Sequence, residues 1–112
     1  MGAIASRAMI YELRTYDIFP TRLPEYLAHI QSDPEISAIL APHLKAFFQT
    51  EFGPLNQVIH LYRYDSVEHR REVRGRLTGL PQFPAFSARL RDFIQKQENK
   101  LLQETPLCPP IP

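Results

Sequence analysis

Alternating apolar and polar positions predict a strand and then a helix in the first third of the chain. Residues 9–16 are rich in aromatic and β-branched side chains that alternate in polarity, which is a strand pattern. From residue 21 to residue 30 the apolar side chains recur at helical spacing, and Thr21 is a suitable cap for that helix. A second, short helix is expected at Pro34, because proline suits a first helical position.

The middle of the chain predicts a hairpin followed by a charged helix. Residues 43–52 and residues 56–64 both alternate in polarity, and Gly53 lies in the turn between them. We expect Gly53 to supply a backbone dihedral that other residues resist. Asp65, followed three residues later by Glu68, resembles a capping box and predicts that a helix begins there.

The last part of the chain predicts a short helix, one ambiguous segment and a proline-rich tail. Apolar spacing favours a helix over residues 83–90. Residues 93–102 have side chains that favour helix, whereas the order of the elements requires a strand. The predicted divisions are a flexible N-terminus, one domain and an extended tail, over residues 1–8, 9–103 and 104–112 respectively.

The order strand, helix, hairpin, helix, strand predicts an α+β fold, the ferredoxin-like βαββαβ sandwich. In this topology the helices cover one sheet face and leave the other open. We expect the more apolar strand sides to meet the helices, namely Tyr11, Leu13, Leu44, Ala46, Phe48, Ile59 and Leu61. We expect the open face to be part aromatic and part ionisable, carrying Ile10, Glu12, Arg14, Phe47, Gln49, Glu51, Val58, His60, Tyr62 and Tyr64. Such a face predicts an interface or a binding site.

Composition and charge exclude several classes of protein. The 13 Lys plus Arg and 12 Asp plus Glu among 112 residues give a net charge of +1, so no strong field draws the protein to nucleic acid. The only cysteine, Cys108, excludes an intrachain disulfide and Cys-based zinc sites. No apolar run approaches the roughly 20 residues of a membrane span, and the first eight residues lack a signal-peptide pattern. We expect a cytoplasmic protein.

Several motifs, in order, resemble the NIPSNAP family. They are Tyr-Glu-Leu-Arg-Thr-Tyr at residues 11–16, the segment from Glu51 to Tyr64 that contains Gly-Pro-Leu-Asn-Gln, and Arg-Arg-Glu-Val-Arg at residues 70–74. The similarity continues to Gln97-Glu98 and covers about residues 9–102. Tyr62 and Phe83 stand where the family usually has tryptophan, which suggests a divergent branch.

The resemblance implies a dimeric α+β barrel, in which two ferredoxin-like sheets pack face to face around a lumen. We therefore expect a homodimer. It also implies a poorly defined function, because animal members are associated with mitochondria, vesicular traffic and mitophagy signalling and bacterial members are mostly uncharacterised. A short single-domain chain such as this one is similar to the bacterial, cytoplasmic members.

A group of ionisable residues on the predicted open face is the candidate site. Arg14 could offer a bidentate fork to Glu12 or Glu51. The group is then either a structural network or a site where His60, Glu12 or Glu51 transfers a proton to or from a small enolisable substrate. The candidate ligand-binding residues are Arg14, Gln49, Tyr62 and Tyr64. No second ligand lies near His60, so we expect no metal and no cofactor.

Two hypotheses follow from this pattern. The first is a homodimeric structural module or one that binds a small apolar or aromatic ligand. The second is a cofactor-independent enzyme, a monooxygenase or an isomerase, with His60 as its base. A cavity of a few hundred Å³ lined by Glu12, Arg14 and His60 would favour the enzyme. Arg70 and Arg74 are expected either to face solvent or to reach a carboxylate such as Asp65 or a bound anion.

Overall fold

The computed structural model describes residues 9–112, and the predicted flexible N-terminus (residues 1–8) lies outside the described range. Within that range four strands and four helices follow one another, with a 3₁₀ turn at Ala41–His43. The elements are β1 (Ile10–Ile18), α1 (Leu23–Ile30), α2 (Pro34–Leu40), β2 (Leu44–Gln49), β3 (Gln57–Tyr64), α3 (Val67–Thr78), α4 (Phe83–Arg91) and β4 (Ile94–Leu102).

The strands form one antiparallel sheet in the order β2-β3-β1-β4. This order confirms the predicted ferredoxin-like α+β fold. The ambiguous segment is strand β4, which pairs with β1 from Ile18 opposite Ile94 to Tyr11 opposite Leu102. Pairing with a free strand edge therefore outweighs the local helix preference of Gln, Lys and Glu. In the β2–β3 hairpin Gly53 has a φ of 101°, as predicted.

The two predicted helix caps are wrong. Thr21 has a φ of 70°, and the residue that precedes α1 is Arg22, which makes no side-chain cap bond. Ser66, not Asp65, caps α3, because its Oγ accepts a hydrogen bond from the backbone N–H of His69 at 3.0 Å. Ser66 lies one residue nearer the helix in extended backbone, where a cap residue belongs.

The predicted assignment of the sheet faces is also wrong. Buried and half-buried residues alternate along β3, and the buried ones are Val58, His60, Tyr62 and Tyr64. The helices contact this side, through Tyr26 of α1 against His60 and Arg70 of α3 against Glu12. Leu44 does face the helices as predicted, because the β2–β3 register shifts between Leu44 and Ala46. The two charged or titratable groups at the centre of this face find partners there, Glu12 in Arg70 and His60 in Tyr26. The Tyr64 hydroxyl is buried with no hydrogen-bond partner among the described residues.

The other face, which we call the open face, is covered by no helix within residues 9–112. Its apolar members, placed by the strand register, are Leu13, Ala46, Phe48, Ile59, Leu61 and Leu102. The proline-rich tail attaches to one end of it. The Tyr11 hydroxyl donates a hydrogen bond to the Glu104 carboxylate, and Arg63 Nη1 donates to the backbone oxygen of Ile111 at 2.7 Å. Tyr11 is buried as a result, at 4% exposure.

Candidate functional site

A cavity of about 380 Å³ lies between the sheet and the helices. It separates two hydrophobic clusters, and members of both clusters line it. The first cluster is centred on Tyr16, Ile18, Tyr26, Val58 and Phe93. The second is centred on Ile10, Tyr62, Tyr64 and Val73. Every strand and every helix of the described chain contributes to the lining, so the whole fold builds this space.

Most of the cavity wall is apolar, and its charged residues are all positive. The apolar and aromatic lining residues include Ile30, Ile36, Leu40, Leu44, Phe47, Leu77, Phe83, Phe86, Leu90 and Ile94. Three arginines also line it, Arg14, Arg74 and Arg91. Among the described residues that line the cavity there is no aspartate or glutamate. The wall thus combines an apolar surface with positive charge.

His60 is a buried, neutral imidazole at the cavity wall. It is 3% exposed, and its Nε2 lies 3.1 Å from the Tyr26 hydroxyl. The rings of Tyr16 and Phe47 pack against it, with centroids at 5.3 and 4.2 Å. Burial, and after it the positive charge of Arg14, lowers the pKa of His60 to about 4. At neutral pH this imidazole is therefore uncharged, and a pKa this low makes it a weak base.

Glu12 is the centre of a buried ion-pair network behind the cavity wall. Its carboxylate is 1% exposed and accepts hydrogen bonds from Arg14 Nη1 at 2.8 Å and Arg70 Nη2 at 2.9 Å. Arg70 Nε donates to the second carboxylate oxygen at 3.2 Å, which makes the Arg70 contact bidentate. Burial by itself raises the pKa of Glu12, but the Arg70 hydrogen bonds and the charges of Arg14, Arg70 and Arg74 hold it below its usual value.

Tyr62 and Arg74 bring two further polar groups to the cavity. Burial, the largest cause, raises the pKa of Tyr62 to about 12, so its hydroxyl stays a hydrogen-bond donor at neutral pH. Burial, and after it the charge of Arg14, lowers the pKa of Arg74. Arg14 and Arg74 both line the cavity, so two positive charges face the same space.

The structure brings together three of the predicted site residues. Arg14, His60 and Tyr62 all line the cavity. Glu12 lies behind it and binds arginines. Three others do not line it: Tyr64 is buried in the second cluster, Gln49 is exposed at the end of β2, and Glu51 is exposed in the following loop. Arg70 reaches Glu12 and not Asp65.

Sequence reasoning missed Tyr26 as a functional residue. It is fully buried at 0% exposure and is the hydrogen-bond partner of His60. A signal was available, because Tyr26 lies four residues before Ile30 on the apolar side of α1. The contributions of α4, which include Phe83, Phe86 and Leu90, were predictable as apolar helix positions but not as cavity wall.

The fold and the cavity define a ferredoxin-like α+β domain with a partly open space of small-molecule size between its sheet and its helices. A NIPSNAP family model matches residues 11–109. The chain belongs to the NIPSNAP family, as its motifs predicted. No helix within residues 9–112 is long and apolar enough to cross a bilayer.

Named relatives agree with this assignment. The chain is 36% identical to a NIPSNAP family protein from Agrobacterium tumefaciens, with a TM-score of 0.81 over 91% of this chain and 90% of that one. It is 28% identical to human Protein NipSnap homolog 3A over 102 residues, which are 89% of this chain and 41% of that protein. The chain therefore spans about two-fifths of that curated relative.

A more distant structure shares the fold alone. SnoaB, a cofactor-independent oxygenase from Streptomyces nogalater, is 12% identical, with a TM-score of 0.64 over 92% of this chain and 99% of that one. At this identity the similarity carries no statement about activity.

Proposed function

We propose that this NIPSNAP protein is a homodimeric domain that binds a small apolar or aromatic molecule in the cavity between its sheet and helices. The observation that carries the proposal is the cavity itself, whose 380 Å³ and mainly apolar wall match the usual range of small-molecule sites. The space opens to solvent past exposed residues such as Arg91 and Gln97, so a small molecule can enter it. A single cysteine is compatible with the cytoplasmic location that we also propose.

Filling the cavity from one side tests the proposal. Ser37 lies on α2 and lines the cavity, whereas its neighbour Ala38 is exposed and does not. Uncharged probes, 2-naphthol and indole, should bind the wild type in calorimetric titrations. Ser37→Phe should abolish that binding and Ala38→Phe should leave it unchanged. Equal binding by all three proteins would place the probe elsewhere, and a wild type that binds no apolar or aromatic probe, charged or uncharged, would refute the proposal.

The open face supports the dimeric part of the proposal. Phe48 and Leu102 on this face are 59% and 38% exposed, and Leu13, Ile59 and Leu61 lie between them half-buried. A contiguous apolar patch on a small domain normally marks an interface. Light scattering at micromolar concentration should give the mass of a dimer. Leu61→Glu should shift that mass to a monomer, and Leu107→Glu, on the exposed tail, should not. A monomeric wild type would refute the dimer.

An enzymatic role is the second candidate, and His60 is the observation that favours it. Its neutral imidazole lines the cavity next to Arg14, which could stabilise an enolate after proton removal. Isomerisation through an enolate needs removal of a proton by the base and its return to a different atom of the substrate, and no cofactor. The test is NMR-detected exchange of the α-protons of 2-tetralone in D₂O. Exchange should be faster with the wild type than with His60→Gln, while both variants keep the same oligomeric mass. Equal exchange rates would rule out His60 as the base.

A further inference from the structure

We infer that the cavity selects organic anions, specifically molecules with a carboxylate that binds Arg14, Arg74 and Tyr62 while an apolar body packs against the phenylalanine and leucine wall. This inference deepens the proposed function and rests on it, because it names the ligand class of the same cavity. It rests on three features of the described chain: a surplus of half-buried positive charge, unused hydrogen-bond donors, and the absence of an acidic residue in the wall.

The charges around the site do not balance. One carboxylate, Glu12, is shared between Arg14 and Arg70, which already leaves a surplus of one positive charge. Arg74 lines the same cavity as Arg14 and adds another, and burial, followed by the charge of Arg14, disfavours its charged form. Like charges in a poorly solvated place repel strongly. A ligand anion would relieve that repulsion, whereas a neutral ligand would not.

The donors that face this surplus are not all in use. Arg14 donates Nη1 to Glu12 and Nε to the Tyr16 hydroxyl, so its Nη2 remains available. Arg74 makes no hydrogen bond or ion pair with any residue in the range 9–112. The Tyr62 hydroxyl, on a side chain 8% exposed, likewise has no hydrogen-bond partner in that range. Two guanidinium groups and one phenol suit a carboxylate, which accepts about four hydrogen bonds.

The rest of the wall restricts the remainder of the ligand. Phe47, Phe83 and Phe86 offer aromatic contacts, and the aliphatic side chains of α2 and α3 complete the apolar surface. Arg91, exposed on α4 with Nη1 on Ser87 Oγ at 2.9 Å, adds positive charge that attracts anions to the cavity. The site therefore fits a monocarboxylic acid with an aromatic or alkyl body.

Pairs of probes that share a body and differ in charge test this directly. We would titrate benzoate against benzamide, 2-naphthoate against 2-naphthamide, and decanoate against decanamide, by calorimetry at pH 7. The wild type should bind the acid of at least one pair 10- to 100-fold more tightly than its amide, which is the range for hydrogen bonds to charged groups. This comparison needs no substitution and so does not depend on the folding of a variant.

A matched pair of variants assigns the preference to Arg74. Arg74→Gln should remove most of the preference for the acid and leave amide affinity unchanged. Arg76→Gln, two residues along the same helix and outside the cavity wall, should bind like the wild type. Equal affinity for acids and amides would overturn the inference while leaving the proposed function intact. Failure of acids, amides and uncharged probes to bind would overturn both, and an acid preference that survives Arg74→Gln would overturn the assignment.

Discussion

Substitution of Glu12 by glutamine should be among the most destabilising conservative changes in this protein. The carboxylate is 1% exposed and accepts three hydrogen bonds from two guanidinium groups, at 2.8, 2.9 and 3.2 Å. Glutamine keeps the size of the side chain and one acceptor oxygen, but it removes the only negative charge between Arg14 and Arg70. Removal of one partner from a buried ion pair lowers the free energy of unfolding by about 3–5 kcal/mol. Because glutamine keeps one acceptor oxygen, we expect Glu12→Gln to lie at the lower end, about 3 kcal/mol.

The assay is urea unfolding followed by far-UV circular dichroism. A loss of about 3 kcal/mol is a large fraction of the roughly 5–15 kcal/mol that holds a domain folded. In thermal unfolding the same loss should lower Tm by about 10–20 °C. The control is Glu68→Gln, because Glu68 pairs with Arg71 at 3.0 Å but is 79% exposed. Exposed pairs contribute at most about 1 kcal/mol. The two variants therefore separate a buried charge from a solvated one.

The pH dependence provides a second check on the same reasoning. Because the pKa of Glu12 is lowered in the folded protein, its stabilisation is complete above the unfolded pKa of 4.5 and is lost as pH falls through the folded pKa. The stability difference between wild type and Glu12→Gln should therefore shrink below about pH 4.5. A variant within about 1 kcal/mol of wild type at pH 7, or a difference that does not change on acidification, would refute the network as described.

Three further predictions concern the neighbouring residues. The His60 ring should stay neutral in NMR titrations until the pH approaches 4, and a titration near 6.5 would contradict its burial. Because the folded pKa of His60 lies below the unfolded value of 6.5, its contribution to the free energy of unfolding is fully present above pH 6.5. The protein should lose up to about 3 kcal/mol of that free energy as the pH falls from 6.5 to 4. Tyr26→Phe should lower the free energy of unfolding in urea by about 1–2 kcal/mol, because it removes the hydroxyl that lies 3.1 Å from His60 Nε2 and keeps the ring. An unchanged urea midpoint would show that this hydroxyl contributes nothing to stability. Removal of residues 105–112 should leave the mass by light scattering that of a dimer, because the tail contacts its own sheet, and dissociation would show that the tail crosses the interface.

The order of the elements was predictable because each strand and helix has its own local pattern. The alternation in residues 9–16 and 56–64 and the helical spacing before Ile30 are properties of neighbouring residues. These patterns gave the order of the other elements, and that order required a strand at residues 93–102, although the side chains of that segment favour helix. The predicted cap of α3 was wrong by one residue. Asp65 and Ser66 are both good cap residues, and only the backbone conformation shows that Ser66 is the one that caps the helix.

The sheet faces were not predictable from apolar content. Both faces of β3 carry large hydrophobic side chains, Val58 and Tyr62 on one and Ile59 and Leu61 on the other. What decides between them is whether the polar members can be satisfied under the helices. Glu12 is satisfied by Arg70, 58 residues away, and His60 by Tyr26, 34 residues away. Such distant pairings leave no periodic signal. The prediction nevertheless grouped Arg14, His60 and Tyr62 correctly. These residues lie on the same side of the paired strands β1 and β3, and that grouping does not depend on which side the helices cover.

The separation of the core into two hydrophobic clusters has a consequence for cooperativity. The cavity is lined by residues of both clusters, the one around Tyr26 and the one around Tyr64. We expect each cluster, with the helices that pack on it, to open as a local unit, which amide hydrogen exchange would detect. A molecule in the cavity contacts both clusters at once. Binding would therefore join two partly independent halves into one unit that exchanges its amides together.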